Sequence, residues 1–329
     1  MEAIIPQSKK IWDDWIVANT DHHSFAQSWE WGEILRAEGK MVERYIFLNN
    51  GTAIAEVQAI KNKLPFGWAY AFCPKGPTLA KNYTGGVTWG AKDLLAEQRV
   101  VFVRIETTYQ PIKVGFNAIP TKDINPRATV ILELNKDENK ILAEMHPKTR
   151  YNIHLAIKKN LRVDKEKNEE VFYQLMKATG ARDGFRLHSH AHYHQILQSS
   201  LARQITIYSG DKPIAVGVFI SFGDTFTYLY GASNYKERAL MAPYLTQWEG
   251  IKMGKQLGHK FYDFFGIAPG VVDSAGDLHY NEKHQYAGMT RFKLGFGGSY
   301  REDPGTFDLI ISPGKYKIYQ LMRFIRRLV

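Results

Sequence analysis

The sequence predicts a mixed α+β fold built from two copies of one structural unit. Short apolar runs typical of strands alternate with helical patterns along the chain. The order of these elements recurs at an offset of about 160 residues, which favours duplication over a chance similarity of two hairpins. Three pairs of segments match: IAEVQAI (54–60) with IAVGVFI (214–220), WAYAF (68–72) with YLYGA (228–232), and FVRIE (102–106) with FYDFF (261–265) after a small slip.

The elements of the first copy can be assigned in chain order. RYIFLNN followed by TAIAEVQAI predicts a hairpin that turns around Asn49, Asn50 and Gly51. GWAYAF predicts a further strand, and TWGAKDLLAEQ predicts a helix. VVFVRIE is almost continuously apolar, as in a buried sheet. The Pro- and charge-rich segment PTKDINPRAT (120–129) predicts the joint between the copies.

Composition and length indicate a globular protein with two domains. The chain has 329 residues, of which 44% are hydrophobic and 23% charged. Its apolar runs are shorter than the ~18–20 residues of a membrane span, and the N-terminal stretch lacks the features of a signal peptide. The single cysteine, Cys73, excludes an internal disulfide. Together these features predict a cytoplasmic protein.

The net charge of +10 favours an anionic partner, which can be nucleic acid, nucleotide or anionic lipid. Two segments carry much of this charge. HPKTRYNIHLAIKKNLR (146–162) and KYKIYQLMRFIRRLV (315–329) each contain five Lys or Arg residues and no acidic residue.

The first of these segments, 146–162, predicts a helix with Pro147 in its first turn. We call it the basic helix. Tyr151 lies within its basic arc, where an aromatic ring is suited to stacking on a base. A solvated basic face is the alternative interpretation. The predicted basic side carries Lys148, Arg150, His154, Lys158, Lys159 and Arg162, and the predicted apolar side carries Ile153, Ala156, Ile157 and Leu161.

The C-terminal segment has a similar division. Its apolar arc is wide enough for a helix that packs on the first domain. The alternative is peripheral contact with the anionic inner face of the membrane. The predicted arc consists of Ile318, Leu321, Met322, Phe324, Ile325 and Leu328, opposed by Lys315, Arg323, Arg326 and Arg327.

Several stretches together resemble the Fem family of peptidoglycan-bridge aminoacyltransferases. They occur in family order and cover most of the chain. The basic helix followed by DFFGI and FKLGFGG at this spacing is the most specific part. The stretches are QSWEWGEIL (27–35), PKGPTL (74–79), HPKTRYNIHLAIKKNL (146–161), RDGFRLHSHAHYH (182–194), YDFFGI (262–267) and RFKLGFGG (291–298).

The resemblance implies two tandem domains of the acetyltransferase-like (GNAT-like) fold, with the C-terminal helix returning to the first. We expect one domain to comprise 1–128 plus 305–329 and the other 129–304. The family transfers an amino acid from aminoacyl-tRNA to the side-chain amine of a peptidoglycan precursor, which is either UDP-linked or lipid-linked. Neither a metal nor another cofactor is expected.

The chain resembles the compact members of the family. HYHQILQSSLARQITIYSG passes from helix to strand without room for the long coiled coil that some members insert. The sequence departs from the family four residues after the tryptophan of WEWGE. Relatives often have a phosphate-binding lysine there, whereas this chain has Leu35 with Arg36 next to it.

Lys293, in FKLGFGG, is the predicted catalytic residue. Aminoacyl transfer passes through a tetrahedral intermediate whose oxyanion needs a positive charge in a dry site. We expect Lys293 on a strand that Phe292 and Phe296 hold against a core, with the neighbouring glycines allowing close approach to substrate. The alternative is a strand whose lysine reaches out to water.

The remaining predicted site residues follow from strand ends and from the resemblance. Glu106 and Asp263 end matching strands, where each carboxylate would orient the amine or cap a loop; a ribose hydroxyl of the donor is an alternative proton relay. Arg36, Lys75, His188, Tyr230 and Tyr244 are assigned to substrate binding by the resemblance. Contacts with tRNA are predicted for Lys148, Arg150, Tyr151, Lys158 and Lys159 of the basic helix.

Three other interpretations were weighed. The histidines at 188, 190, 192 and 194 alternate as on a strand face, but an acidic or cysteine partner is not close in sequence, which disfavours a metal site. An acyl-CoA-dependent N-acyltransferase is disfavoured because the chain lacks a Q/R-x-x-G-x-G/A pyrophosphate loop. A non-catalytic RNA-binding or membrane-surface protein would use the basic segments but would not need the lysine of FKLGFGG.

Overall fold

The structure of the chain is a computed structural model that describes residues 2–81, 83, 99–108 and 118–328. It divides into two compact units, residues 1–125 with 303–329 (the first unit) and residues 126–302 (the second unit). That these units are domains with the predicted boundaries stays a prediction. The predicted helix TWGAKDLLAEQ lies outside the described residues.

The described residues form strands and helices in the following order. The strands are β1 (Glu2–Ile4), β2 (Met41–Asn49), β3 (Thr52–Lys63), β4 (Ala69–Cys73), β5 (Thr78–Leu79), β6 (Val100–Thr107), β7 (Ala118–Thr121), β8 (Ala128–Glu133), β9 (Arg162–Asp164), β10 (Ala202–Ser209), β11 (Lys212–Phe222), β12 (Thr225–Ser233), β13 (Phe261–Asp263), β14 (Gly270–Val272), β15 (Leu278–Tyr280), β16 (Ser299–Glu302) and β17 (Gly305–Ile310). The α-helices are α1 (Lys9–Asn19), α2 (Trp29–Ala37), α3 (Glu138–Glu144), α4 (Pro147–Lys158), α5 (Glu169–Asp183), α6 (His190–Gln198), α7 (Ala242–Gln256), α8 (Ala287–Leu294) and α9 (Pro313–Leu328).

Each unit is built around one mixed sheet, and the two sheets repeat the same plan. In the first, β2, β3 and β4 run antiparallel and β6 lies parallel to β4. In the second, β10, β11 and β12 run antiparallel and β13 lies parallel to β12. The predicted mixed α+β fold and the duplication are therefore confirmed. The strand that pairs antiparallel with the parallel inner strand comes from a different part of the chain in each unit. In the first unit β17, from near the end of the chain, pairs with β6, whereas in the second unit β8, which precedes the rest of its sheet, pairs with β13.

Two local predictions for the first unit are confirmed. Strands β2 and β3 pair up to Asn49 and Thr52, and the turn between them has positive φ at Asn50 (49°) and Gly51 (77°). A two-residue hairpin turn of this kind matches the twist of its strands, which explains the Asn-Gly sequence. Strand β6 is buried along its whole length, as its continuous apolar sequence predicts.

Helix α9 packs on the first unit, as predicted, and contact of its other side with a membrane stays a prediction. It packs through Tyr316 and Tyr319, whose rings lie 5.2 and 4.7 Å from the ring of Phe102. The predicted contact face is wrong, however. Of the predicted arc, Met322 packs against this cluster, whereas four other apolar residues are about half exposed: Ile318 (45%), Leu321 (58%), Phe324 (59%) and Ile325 (51%).

A buried polar cluster explains the orientation of α9. Arg104 on β6 donates two hydrogen bonds, of 2.7 and 2.9 Å, to the carboxylate of Asp308 on β17. The hydroxyl of Tyr316 donates to the same carboxylate at 2.8 Å. Asp308 is fully buried, so its charge must be matched within the fold. The face of α9 that carries Tyr316 is therefore held against the sheet, although another face has more aliphatic residues.

The basic helix is α4, which has Pro147 in its first turn as predicted but ends at Lys158, so that Arg162, predicted on its basic side, lies on β9. It buries Ile153 and Ala156 against the core of the second unit, as predicted, and Tyr151 is 64% exposed. Ile157 was predicted on the packed side but is 48% exposed. Thr149 and Asn152 are buried instead, so the buried residues of α4 lie closer to its N-terminal end than predicted.

Within the described residues, the helices are too short or too polar to cross a bilayer.

The cluster around Asp308 should be a main source of stability in the first unit. Asp308→Ala leaves the guanidinium of Arg104 buried without its carboxylate, so we expect a loss of about 3–5 kcal/mol in the free energy of unfolding. Tyr316→Phe removes one hydrogen bond to the same carboxylate and should cost about 1 kcal/mol. Urea unfolding of both variants tests this order, and equal losses would contradict it.

Candidate active site

Lys293 lies on a helix, not on the predicted strand. It is in the last turn of α8, which ends at Leu294. Phe292 and Phe296 are four residues apart, and their rings lie 5.0 and 5.9 Å from the ring of Tyr244. Two aromatic residues at this spacing fit one side of a helical turn as well as one face of a strand, and this ambiguity explains the error.

The glycines after Lys293 shape the chain, and their role in making room for substrate stays a prediction. Gly297 and Gly298 have φ of 78° and 93°, in the left-handed region that favours glycine, and they lead directly into β16. A Cβ on Gly298 would lie 2.6 Å from the carbonyl oxygen of Ile131. This close backbone approach is to β8 of the same unit.

The ammonium group of Lys293 points inward. The residue is 6% exposed, so the predicted alternative of a lysine reaching to water is wrong. Its Nζ donates to the carbonyl oxygens of Phe265 and, at 2.9 Å, of Gly266. Both residues have positive φ (49° and 53°) in the turn that follows β13. Nζ also lies 5.6 Å from the centre of the Tyr228 ring.

Burial lowers the pKa of the Lys293 ammonium to about 7, although the charge of Asp263 acts in the opposite direction. A lysine with this pKa is partly neutral near pH 7. Stabilisation of an oxyanion by this residue stays a prediction. The same group can accept a proton when neutral and donate one when charged.

The two predicted strand-end carboxylates hold turns in their own units. Asp263, at the end of β13, accepts a hydrogen bond from Thr129 Oγ1 and one of 2.7 Å from the backbone N–H of Phe265. Glu106, near the end of β6, accepts from the backbone N–H groups of Ile124 and Asn125 and from the Asn125 amide. Asp263 therefore helps to fix the turn whose carbonyls hold Lys293. Orientation of an amine by either carboxylate stays a prediction.

The histidine-rich stretch is helical where a strand face was predicted. Three of its histidines lie on α6, and His188 lies just before this helix. His188 and His192 are 4.3 Å apart between ring centres, and His192 Nε2 lies 2.9 Å from the hydroxyl of Tyr230. The structure thus brings the predicted pair His188 and Tyr230 together. Their role in substrate binding stays a prediction.

The other two histidines share a partner that the sequence did not reveal. His190 and His194 lie 3.4 and 2.7 Å from the carboxylate of Glu169 at the start of α5. This carboxylate is distant in sequence but adjacent in the fold. Groups of three or more residues able to hold a metal ion were not found among the described residues.

A cavity of about 450 Å³ lies in the second unit next to the start of α7. The predicted residue Tyr244 lines it, together with Phe292, which precedes Lys293. Sequence reasoning missed three other lining residues, Tyr235, Arg238 and Met241. The signal available for them was the stretch NYKERALMAP between a strand and a helix, to which the sequence predictions assign no role.

Two predicted substrate-binding residues of the first unit have protein partners. Arg36 donates to Glu33 and to the carbonyl oxygen of Val42, each at 2.9 Å. Lys75 forms an ion pair of 2.9 Å with Asp303, and both side chains are largely buried. Neither contact tests binding, so both assignments stay predictions.

The predicted tRNA-binding residues of α4 fall into two groups. Lys148, Tyr151, Lys158 and Lys159 are exposed. Arg150 is half-buried, and its Nη1 donates to the carbonyl oxygens of Ala143 and Met145 at the end of α3. Arg150 thus caps α3 and differs from the four exposed residues. Binding of tRNA by any of them stays a prediction.

The fold corresponds to a known class of protein. The structure is similar to a crystal structure titled FemX (TM-score 0.80, 17% identity, 97% of this chain and 99% of that chain). It is also similar to a tandem GNAT protein from the clavulanic acid biosynthesis pathway (TM-score 0.50, 10% identity, 95% and 99% of the two chains). The fold is therefore a tandem GNAT-like fold, as expected.

The sequence identifies the family. A model of the FemAB family matches residues 108–200 and 198–323, more than half of the chain, so the chain belongs to the FemAB family. Two relatives are named lipid II:glycine glycyltransferase. The one from Staphylococcus epidermidis is 22% identical over 277 residues, and the match spans 64% of each chain. The one from Staphylococcus aureus is 20% identical over an alignment of 409 positions, gaps included, which spans 93% of this chain and 95% of the relative.

The low pKa of Lys293 can be tested through stability. Between pH 7 and the ordinary lysine pKa of about 10.4, the unfolded chain binds more protons at Lys293 than the folded chain does. Wild-type stability should therefore gain about 1.4 kcal/mol per pH unit in this range from Lys293 alone. Any stability advantage of Lys293→Met over the wild type should therefore shrink by about 1.4 kcal/mol for each pH unit between about pH 7 and pH 10. Urea unfolding of both proteins measures the difference, and a difference independent of pH would contradict the lowered pKa.

Proposed function

We propose that this protein transfers an amino acid from aminoacyl-tRNA to the side-chain amine of a peptidoglycan precursor stem peptide, and so builds interpeptide bridges in the cytoplasm. Membership of the FemAB family supports aminoacyl transfer. The two staphylococcal relatives are named for glycine transfer to lipid II, which favours a lipid-linked precursor. A UDP-linked muropeptide is the second acceptor that we propose to test.

The observation that carries this proposal is the buried amine of Lys293. A lysine that only stabilised the fold would gain more from contact with water or with a carboxylate. Here the side chain donates to two carbonyl oxygens, and its pKa is lowered to about 7. Of the four tetrahedral positions around Nζ, Cε takes one and these carbonyls take two. We infer that the reacting group takes the fourth.

The chemistry of the reaction matches such a group. The acceptor amine must lose a proton as its nitrogen bonds to the ester carbonyl carbon, and neutral Lys293 can take that proton. The resulting ammonium then stabilises the oxyanion. When the bond from carbon to the ribose oxygen breaks, the same proton can pass to that oxygen. The products are an amide and a tRNA with a free ribose hydroxyl, and Lys293 returns to its neutral form.

Two surfaces of the second unit support a tRNA donor. The cavity beside Phe292 offers the rings of Tyr235 and Tyr244 for stacking on a terminal base, and Arg238 for a phosphate. Helix α4 offers the exposed residues Lys148, Tyr151, Lys158 and Lys159. The start of α4 is joined to the end of α8, since the backbone N–H of His146 donates to the carbonyl oxygen of Gly295 at 2.9 Å.

A second candidate donor is an acyl-CoA, which the similarity to a tandem GNAT protein keeps open. The two donors differ in one respect that an assay can detect. Transfer from charged tRNA should be abolished by ribonuclease treatment of the donor, whereas transfer from acyl-CoA should be unaffected.

The proposed role of Lys293 can be tested against a matched lysine. We expect Lys293→Met to lower single-turnover transfer from charged tRNA about 100- to 1,000-fold, because one group that acts in the transition state is lost. Lys255 also donates to two backbone carbonyls, those of Leu134 (3.0 Å) and Lys136 (2.7 Å), but on α7. Lys255→Met should therefore reduce stability while leaving the transfer rate within about threefold of wild type.

The assay should follow radiolabelled aminoacyl-tRNA onto UDP-linked and lipid-linked precursor, with thermal melting to verify folding. Equal rate losses in folded Lys293→Met and Lys255→Met enzymes would mean that Lys293 has a structural role only. Wild-type transfer from acyl-CoA that resists ribonuclease would overturn the tRNA donor.

Contacts between α4 and tRNA should be visible in the salt dependence of binding. If Lys158 and Lys159 each contact a phosphate, changing both to alanine should flatten the slope of log affinity against log salt by about 1.4 to 1.8. Lys9→Ala with Lys10→Ala is a matched control, because these are adjacent lysines on a helix, each paired with an aspartate four residues on. An unchanged slope in the α4 variant would identify that face as merely solvated.

A further inference from the structure

Helix α9 presents an apolar stripe to solvent on the side that does not pack. Ile318, Leu321 and Ile325 follow a spacing of three and four residues, and Phe324 lies beside them. These four side chains are between 45% and 59% exposed. The helix is fixed in this orientation, because Tyr316 on its opposite side is bonded to buried Asp308. The exposed stripe therefore cannot rotate into the core without breaking that bond.

A loop of the first unit lies near the start of α9. Phe66 is 70% exposed and has a positive φ of 62°, which is unusual for an aromatic residue. Its ring lies 5.2 Å from that of Trp68, and Trp68 in turn lies 5.7 Å from Nζ of Lys315 at the start of α9. We call Phe66, Ile318, Leu321, Phe324 and Ile325 the C-terminal patch.

The residues around the C-terminal patch are cationic. Lys63 precedes the Phe66 loop and is exposed, as are Lys315 and Lys317 on α9. The exposed side chain of Arg99 reaches the same loop, because a Cβ on Gly67 would lie 3.2 Å from its Nη1. Segments 61–68 and 313–328 contain no acidic residue in the sequence. An exposed apolar surface with a cationic border is complementary to the headgroups and acyl boundary of an anionic bilayer.

This charge pattern distinguishes between two partners for the C-terminal patch, a second copy of the chain and an anionic lipid surface. A second copy of the chain would place two cationic helices against each other in a two-fold interface, where like charges repel. An anionic lipid surface would instead neutralise these charges and cover the apolar side chains. The helix has 16 residues with charges among them, so it can lie in the interface but cannot cross the bilayer.

We propose that the C-terminal patch docks the protein on the surface of an anionic phospholipid bilayer, with α9 parallel to the membrane plane and Phe66 inserted beside it. Docking does not require α9 to unfold or to leave the first unit. Its tyrosines pack on the first unit from one side, and its aliphatic side chains would face lipid on the other side. Docking goes beyond the proposed transfer reaction. It can be measured without tRNA or precursor, so its failure would leave the transfer reaction untouched.

The test is flotation of the full chain with vesicles of phosphatidylcholine that contain either no phosphatidylglycerol or about 30 mol %. We expect partitioning onto the anionic vesicles to be at least about tenfold stronger, and to weaken as salt rises from about 0.1 M to about 0.5 M. Leu321→Glu with Phe324→Glu should lower partitioning by about tenfold or more. Phe66→Ser should lower it less.

The matched control is Ile11→Glu with Val17→Glu. These residues are 58% and 40% exposed on α1 of the same unit, and the change in charge is the same. This control should keep most of the partitioning, and thermal melting should show that all variants are folded. The proposal would be overturned by equal partitioning of the two double variants. It would also be overturned if wild-type protein ignored anionic vesicles and instead self-associated, in sedimentation, through Leu321 and Phe324.

Discussion

The burial of one amine on two backbone carbonyls is the constraint around which the second unit is organised. Lys293 can reach the carbonyl oxygens of Phe265 and Gly266 only because the turn after β13 has left-handed backbone at both residues. Asp263 fixes that turn through the backbone N–H of Phe265. On the other side, the end of α8 is tied to the start of α4 through Gly295 and His146. Strand end, turn and two helix ends thus converge on one side chain.

The two similar sheets use carboxylates on their parallel inner strands differently. Near the end of the parallel inner strand, each sheet has a carboxylate that holds the following backbone: Glu106 in the first unit and Asp263 in the second. In the first unit this carboxylate anchors the segment at Ile124 and Asn125. In the second it sets the turn beneath Lys293. Asp263 therefore contributes to the surroundings of the candidate site, whereas Glu106 holds backbone of the first unit.

The predictions that succeeded depend on local sequence, and those that failed depend on partners far along the chain. The Asn50–Gly51 turn and the buried strand β6 follow from patterns within a few residues, and the repeat follows from the recurrence of such local patterns. The helical state of Lys293 was missed because aromatic residues at 292 and 296 fit two kinds of element. The packed face of α9 was missed because Asp308 and Arg104, which select Tyr316, are 204 residues apart in sequence. The lysine itself was found by resemblance, but its low pKa follows from burial, which a sequence does not show.

Comparison of two lysines of the second unit separates hydrogen bonding from desolvation. Lys255 and Lys293 each donate to two backbone carbonyl oxygens, so their polar partners are of the same kind. Lys255 is partly exposed, whereas Lys293 is buried between a turn and the ring of Tyr228. Two carbonyl dipoles do not replace the hydration of a buried ammonium, and the pKa of Lys293 falls to about 7. Exclusion of water therefore sets the proton affinity of Lys293, and any change that admits water to this site should return it to an ordinary structural lysine.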